Sequence, residues 1–198
     1  MKYTKIAIML LALQTIFFTT LFAQDQPTGL KVGDTAPNFK GRNQNGKLLS
    51  LKKLLTTGSV VIVFYRGEWC PHCNRQLKSL QDSLSLITAK GASVVAITPE
   101  KSENVEKTIQ KTQVSFQVVS DIDLKIMNAY KVTFAWDTAT TSKYKSYGIN
   151  LTEKNASKQN VLPVPAVYII GKDGKIKYSF FNQNYEKRAT VKEILGNL

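Results

Sequence analysis

The sequence predicts one α/β domain in which a central mixed β-sheet is flanked by helices. Apolar runs that are typical of buried strands alternate with stretches whose apolar residues have helical spacing. Near the end of the chain, an Asp173-Gly174 turn joins two further apolar runs, which is the pattern of a β-hairpin. At 198 residues, the chain is long enough for one domain with a substantial core.

Each element has its own local signal. The first long helix, residues 70–88, is predicted because Leu77, Leu80, Leu84 and Ile87 line one face, and Gly91 ends it. Further helices are predicted at residues 102–111, 121–130 and 189–195. Strands are predicted at residues 48–51, 59–65, 92–98, 116–119, 164–170 and 175–181, with residues 59–65 as the central strand.

The amino terminus has the pattern of an export signal. Lys2 and Lys5 precede a mostly apolar stretch that ends on Ala23, which predicts a signal peptide over residues 1–23 and an exported protein, periplasmic or secreted. The alternative is an uncleaved membrane anchor, although polar residues interrupt the stretch. Residues 24–32 are predicted to be a flexible lead-in to a domain that spans residues 33–198.

One internal segment shows neither the helical nor the strand spacing of apolar residues. Residues 132–160 are rich in Thr, Ser, Lys, Tyr and Asn and are longer than ordinary connections. We expect an insertion there, either a mobile surface loop or a lid. Trp136, Tyr144 and Tyr147 give it some capacity to pack.

The chain is strongly basic, with 27 Lys and Arg against 14 Asp and Glu and a formal net charge of +13. Such a charge often indicates a nucleic-acid partner. No nucleic-acid motif accompanies it, and an exported protein rarely meets that partner. We therefore expect a solvated basic surface and no nucleic-acid binding, with membrane contact only through an uncleaved signal.

The two cysteines of the chain lie three residues apart in Trp69-Cys70-Pro71-His72-Cys73. They follow the predicted central strand, and Pro71 suits the opening turn of a helix. A Cys-x-x-Cys pair between a strand and a helix N-terminus is typical of thiol–disulfide chemistry. The alternative is a structural disulfide, but so short a loop would gain only about 2 kcal/mol from closure.

This position separates the roles of the two thiols. At the helix N-terminus, unpaired backbone N–H groups favour a thiolate on Cys70, which we expect to be the exposed nucleophile, and Cys73 lies one turn later as the sheltered resolving thiol. His72, the single histidine, is a candidate stabiliser of that thiolate; the alternative is an exposed surface histidine. Zinc requires four ligands and only three cluster here, so we expect no metal and no cofactor.

Three segments carry a resemblance to a known family. They are residues 33–39, residues 64–73 with the Cys-x-x-Cys pair, and residues 164–170 followed by Asp173-Gly174. Through them the chain resembles the thioredoxin-like superfamily and, within it, the peroxiredoxin-like (AhpC/TSA) branch. The resemblance implies a thioredoxin-like fold with an N-terminal extension and one insertion.

The resemblance also implies site residues around the pair. Trp69 resembles the Trp that precedes the two cysteines in thioredoxins and would pack beside the sulfurs. Pro165 resembles the cis-proline that faces them, which would turn the Val164 backbone toward a substrate peptide. The alternative for Pro165 is a strand-entry proline in trans.

The chain also departs from the peroxiredoxin pattern around the two cysteines. The family's peroxidatic cysteine falls on Cys73, its hydroxyl partner on Cys70 and its peroxide-holding arginine on Pro165. Arg66 and Arg75 are candidate substitutes for that arginine. Glu68 and Glu100 are candidate proton acceptors, with the alternative that each is a solvated side chain.

Three functions compete on these residues. The first is an exported thiol–disulfide oxidoreductase in which Cys70 reacts and Cys73 resolves, with protein or small-molecule thiols and disulfides as partners. The second is a thiol peroxidase that reduces hydroperoxides. The third is a redox-inert binding module that kept the fold.

Overall fold

The computed structural model describes residues 26–198, so the predicted signal peptide lies outside the described residues. Over this range the strands are β1 (Lys40–Arg42), β2 (Leu48–Ser50), β3 (Val60–Phe64), β4 (Ser93–Thr98), β5 (Gln117–Ser120), β6 (Thr133–Ala135), β7 (Val161–Pro163), β8 (Ala166–Ile170) and β9 (Ile176–Phe181). The helices are α1 (Leu51–Leu55), α2 (Pro71–Asp82), α3 (Leu84–Ala89), α4 (Ser102–Thr112), α5 (Lys125–Ala129), α6 (Thr138–Ser146), α7 (Leu151–Lys154) and α8 (Val191–Gly196).

Strand β3 is the centre of a five-stranded sheet with the order β5-β4-β3-β8-β9. Every residue of β3 is buried, as expected for a strand covered on both faces. It pairs in parallel with β4 and antiparallel with β8, and β8 and β9 form the hairpin across the Asp173-Gly174 turn. The predicted mixed sheet, its central strand and its hairpin are confirmed.

Alternate residues of β3 point to opposite faces and divide the core in two. Ile62 and Phe64 pack on one face with Met127 and Tyr130. Val61 and Val63 pack on the other face with helix α2 and both cysteines. The Cys-x-x-Cys pair is therefore anchored directly against the middle of the sheet.

Two helix predictions are corrected in extent. The helix predicted over residues 70–88 breaks at Ser83 (φ −108°, ψ 9°) into α2 and α3, because serine and the preceding aspartate are weak helix formers. The helix predicted over residues 121–130 starts only at Lys125. The Asp121 carboxylate accepts the N–H groups of Ile126 and Met127 at 3.2 and 2.7 Å, so Asp121 caps this helix from outside it.

The lead-in prediction is also corrected where it overlaps the described residues. The Gly29 N–H donates to the Lys131 carbonyl at 3.0 Å, and the Leu30 N–H donates to the Tyr168 hydroxyl at 3.1 Å. Leu30 packs against the core cluster of Ile62 and Phe64. This part of the lead-in is therefore docked on the domain.

The predicted loop over residues 132–160 contains regular structure. Strand β6 pairs with β7 in a separate two-stranded sheet, and helices α6 and α7 lie between them. Sequence periodicity missed α6 because none of its residues is buried, so it has no apolar stripe. Between residues 26 and 198, no helix is long and apolar enough to span a bilayer.

Candidate functional site

Backbone geometry places the cysteines at the start of α2, as predicted. Cys70 is the N-cap residue and its N–H donates to the Gly67 carbonyl at 3.1 Å. Pro71 occupies the first helical turn, where its missing N–H costs nothing. Cys70 and Cys73 are joined by a disulfide with 5.2 Å between their Cα atoms, and the Cys73 N–H points to the Cys70 sulfur at 3.3 Å.

Both sulfurs are covered in this disulfide form. Cys73 is fully buried, as expected for a resolving thiol, and Cys70 is only 2% exposed. The prediction of an exposed Cys70 is wrong here, because both residues belong to the core cluster under the sheet. A partner must therefore displace covering side chains to reach Cys70.

Trp69 is partly buried and packs against the core cluster that contains both cysteines. Its predicted place beside the sulfurs stays a prediction. Its outer side contacts the insertion, with ring centroids 6.1 Å from Trp136 and 6.2 Å from Tyr144. Segment 132–160 thus meets the rest of the molecule beside the redox pair.

The side chain that contacts the sulfurs is Arg188, which sequence reasoning missed. Its Nη2 lies 3.5 Å from the Cys73 sulfur and 3.9 Å from the Cys70 sulfur. Its Nη1 donates to the carbonyl oxygens of Tyr185 and Lys187, which hold the guanidinium in place. Arg188 lies 115 residues after Cys73 in an irregular segment, and no local pattern distinguishes it from other arginines.

Arg66, one of the predicted substitutes, lies close to Arg188 but touches neither sulfur. Arg66 is 6% exposed, and its guanidinium stacks 4.5 Å from the Tyr185 ring and 5.5 Å from the Phe134 ring. Burial lowers the pKa of Arg66. Burial, followed by the Arg66 charge, lowers the pKa of Arg188 to about 10. We call Arg66 and Arg188 the arginine pair.

The other predicted substitute, Arg75, is an exposed residue of α2 and has no contact with a sulfur. With His72 and Arg188 it lines a surface groove of about 410 Å³. His72 is half-buried, and its ring meets the Tyr185 ring edge-to-face at 5.8 Å. His72 therefore lines the groove and is less exposed than a surface histidine. Its role as a stabiliser of the Cys70 thiolate stays a prediction.

The expected cis-proline is corrected. Between residues 26 and 198 there is no cis peptide bond, so the Val164–Pro165 bond is trans, the isomer that X–Pro bonds favour by about 0.5–1 kcal/mol. The Val164 N–H donates to the Val132 carbonyl at 2.8 Å. The backbone donor that an added substrate strand would need is already used.

The two candidate proton acceptors, Glu68 and Glu100, are both buried, which excludes the solvated alternative. Glu68 forms ion pairs with Lys111 and, at 2.8 Å, with Lys154 of the insertion. The Glu100 carboxyl group accepts the Glu68 N–H at 2.8 Å, while its second oxygen is buried and has no partner among residues 26–198. We call Glu68, Glu100, Lys111 and Lys154 the Glu68 cluster.

The two carboxyl groups of this cluster have opposite pKa shifts. Burial alone raises the pKa of Glu68, but hydrogen bonds and charges from Lys111 and Lys154 outweigh it and hold that pKa below its usual range. Burial raises the pKa of Glu100 to about 8, and repulsion from Glu68 adds to it. Glu100 therefore holds its proton at neutral pH, next to the loop that carries Cys70.

The chemistry of this site is that of sulfur. Among the described residues, no three His, Cys, Asp or Glu side chains are grouped to hold a metal ion. The site offers a dithiol at a helix N-terminus, a guanidinium against both sulfurs and a neutral buried carboxyl nearby. Such an arrangement can stabilise a thiolate and exchange a disulfide.

Comparison with known proteins agrees with this chemistry. The protein named "Putative peroxiredoxin bcp" from Helicobacter pylori is 29% identical over 153 residues, which cover 77% of this chain and 89% of the relative. The thiol-disulfide oxidoreductase ResA of Bacillus subtilis is 27% identical over 127 residues, covering 64% of this chain and 69% of ResA. The chain is thus similar to members of both redox classes.

The fold has equally clear counterparts among solved structures. The crystal structure of peroxidoxin BcpB from Mycobacterium tuberculosis matches with a TM-score of 0.68 at 19% identity, over 85% of this chain and 96% of that one. The AhpC/TSA family model matches residues 32–179. The chain therefore belongs to the AhpC/TSA family of thioredoxin-fold, thiol-based oxidoreductases.

Proposed function

We propose that this oxidoreductase is an exported thiol–disulfide exchange enzyme that works through Cys70 and Cys73. The observation that carries the proposal is the adjacent disulfide at the N-terminus of α2, with the Cys73 N–H and Arg188 directed at the sulfurs. The hydroxyl and arginine that the peroxiredoxin pattern places around the sulfur are replaced in sequence by Cys70 and Pro165.

The exchange begins from the dithiol. The Cys70 thiolate attacks one sulfur of a substrate disulfide and forms a mixed disulfide, and the other substrate sulfur leaves as a thiolate. The Cys73 thiolate then attacks the Cys70 sulfur, closes the Cys70–Cys73 disulfide and releases the second substrate thiolate. Two electrons pass from the protein to the substrate, and the thiol protons reach the released thiolates through solvent.

Protein groups stabilise negative charge on both sulfur atoms that take part in this sequence. The Cys73 N–H and the start of α2 stabilise negative charge on the Cys70 sulfur. The Arg188 guanidinium lies within 4 Å of both sulfurs and so favours whichever thiolate is present. Because a stabilised thiolate makes the disulfide a stronger oxidant, these contacts raise the potential of the pair.

Cysteine variants test the proposal directly. The reduced Cys73→Ser protein, offered a protein disulfide, is expected to trap a one-to-one mixed disulfide on Cys70, observed by intact mass. The Cys70→Ser protein is expected to show no turnover. Absence of any mixed disulfide in Cys73→Ser, with its Cys70 thiol still titratable, would overturn the proposal.

A redox titration against glutathione fixes the direction of electron flow. A potential near −270 mV indicates a reductant and one near −120 mV an oxidant. We expect the Cys70–Cys73 pair to lie on the oxidising side of −270 mV because Arg188 stabilises the thiolate. The Arg188→Met variant is expected to have a more reducing potential.

Peroxide reduction is the second candidate, and the Arg188 contact with the Cys73 sulfur favours it. In that reaction a hydroperoxide oxidises one thiolate to a sulfenic acid and leaves as an alcohol or water, and the second thiol condenses with the sulfenic acid to release water. Stopped-flow mixing of reduced protein with hydroperoxide separates the candidates. Disulfide formation much faster than for free cysteine would favour the peroxidase.

The redox-inert module is set aside, since the chain belongs to a family of oxidoreductases. Export rests on residues 1–23 of the sequence. Its test is the mass of the protein recovered from its native host. We expect an amino terminus at Gln24 in an extracytoplasmic fraction, whereas a full-length protein in membranes would indicate an uncleaved anchor.

A further inference from the structure

The arginine pair has no acidic partner in the part of the chain that the structure describes. Among residues 26–198, no carboxylate forms an ion pair with Arg66 or Arg188, although exposed lysines elsewhere find one. The Nε–H groups of Arg66 and Arg188 are buried and donate to no partner within the same range. Buried charge without a counter-ion is costly, and two such charges close together repel each other as well.

Aromatic rings replace the missing carboxylate only in part. Arg66 is 94% covered, and its guanidinium lies over the rings of Phe134 and Tyr185. Arg188 is held by two carbonyl oxygens and by the cysteine sulfurs. Neutral contacts of this kind position the guanidinium groups and leave their charge available to an anion.

A groove gives a small molecule access to Arg188. Its volume of about 410 Å³ is in the range of small-ligand sites. Arg75, Lys187 and Arg188 line it with His72, and Glu186 is the one acidic residue in its lining among residues 26–198. The groove therefore attracts anions, and it lies beside the guanidinium that contacts both sulfurs.

We infer that the arginine pair is an anion subsite that binds a carboxylate of small disulfide substrates beside the Cys70–Cys73 pair. This inference rests on the proposed disulfide exchange and adds its substrate class. Arg188 binds the carboxylate through its Nε–H, the guanidinium nitrogen that has no partner within residues 26–198, and Arg66 supplies the second positive charge behind it. A carboxylate at about 3 Å from Arg188 holds a sulfur one or two carbons away near the protein sulfurs.

The reaction at this subsite is the exchange already described, with a named substrate. The reduced protein attacks a disulfide whose two halves each carry a carboxylate. Each half leaves as a thiolate and takes up one proton, and the protein is oxidised by two electrons to the Cys70–Cys73 disulfide. No further oxidant or reductant is needed for this half-reaction.

Two disulfides of equal length make the test. Dithiodiglycolate carries two carboxylates, whereas bis(2-hydroxyethyl) disulfide is neutral. With reduced full-length protein, we expect kcat/KM to be about tenfold higher for dithiodiglycolate, the scale of one charge-assisted contact. The Arg66→Met and Arg188→Met variants are expected to lose most of this ratio, and Arg188→Lys to keep part of it.

The matched control removes the same charge elsewhere. Arg42 is exposed, and its guanidinium bonds to the Gly46 carbonyl, far in sequence from the pair. The Arg42→Gln variant is expected to keep the wild-type ratio. A preference that falls equally in Arg42→Gln would assign the effect to net charge and overturn the subsite.

A binding measurement separates this inference from the proposed function. Thiodiglycolate, a thioether that cannot exchange, is titrated by calorimetry into the oxidised protein and into Arg188→Met. Binding by the wild type alone supports the subsite even if neither disulfide is reduced, which would defeat only the proposed function. Reduction of both disulfides at equal rates, without thiodiglycolate binding, would overturn the subsite and leave the exchange activity standing.

Discussion

The loop between β3 and α2 carries two buried charged side chains, Arg66 and Glu68, which differ in the groups that surround them. Glu68 has two lysines on its carboxylate, one from α4 and one from the insertion. Arg66 has two aromatic rings and a second arginine nearby. The comparison indicates that the Glu68 cluster serves to hold elements together, whereas the arginine pair has charge left for a ligand.

The largest expected effect concerns pH and Glu100 within the Glu68 cluster. Its pKa of about 8 in the folded protein exceeds its value in the unfolded chain, so the folded state holds a proton that the unfolded state releases. The free energy of unfolding is therefore expected to fall by about 4 kcal/mol as pH rises from 4.5 to 8.

Urea unfolding across that pH range measures the effect. The Glu100→Gln variant is expected to flatten the pH slope, because glutamine does not titrate. Glu106→Gln, at an exposed position of α4, is the control and should keep the slope. An unchanged slope in Glu100→Gln would show that the pKa of Glu100 is ordinary.

The second prediction breaks the paired side of the comparison. Glu68→Gln leaves Lys154, whose side chain is 20% exposed, without its carboxylate. We expect a loss of about 2 kcal/mol in the free energy of unfolding, below the 3–5 kcal/mol of fully buried pairs because Lys111 is half-exposed. Chemical denaturation at pH 7 measures it, and a change no larger than in Glu106→Gln would contradict a structural role.

The third prediction breaks the unpaired side. Arg66→Met removes a buried charge that has no acidic partner among the described residues, and it keeps most of the side-chain volume. We expect the free energy of unfolding to stay within about 1 kcal/mol of the wild-type value. An increase agrees better than a decrease with the cost of burying an unpaired charge. A loss as large as that of Glu68→Gln would erase the difference between the two sides.

The smallest effect sharpens the role of the aromatic cover. Tyr185 is 36% exposed, and its ring is stacked on Arg66. A double-mutant cycle of Tyr185→Leu with Arg66→Met is expected to give a coupling of about 0.5 kcal/mol, typical of an exposed cation–π contact. Tyr147→Leu, at a 66% exposed position, is the control, and equal coupling there would deny the ring a specific role.

Much of the fold could be predicted because its signals are local. The apolar run of β3 and the Asp-Gly turn are readable from neighbouring residues, and both are confirmed. Helix α6 escaped because it buries nothing, and the trans bond at Pro165 corrected an expectation carried by resemblance alone. Local patterns detect helices and strands that have one apolar face. Helix α6 has no apolar face, and the isomer of a peptide bond leaves no periodic pattern in the sequence.

The candidate site likewise has features with a local sequence signal and contacts without one. The place of the two cysteines between a strand and a helix followed from their spacing and from Pro71. The contact of Arg188 with both sulfurs did not, because 115 residues separate it from Cys73. Glu68 and Glu100 are singled out in the sequence as candidate proton acceptors, but their burial could not be predicted from it.

The sequence by itself determined the α/β class, the central strand and a dithiol at a helix N-terminus, since backbone periodicity and residue spacing set these. Only the tertiary structure decided the electrostatics around that dithiol. Whether a charge is buried, and whether it meets a lysine, an aromatic ring or another arginine, depends on which distant segments pack together. For Arg66 and Glu68, two residues apart in the chain, packing produced opposite outcomes.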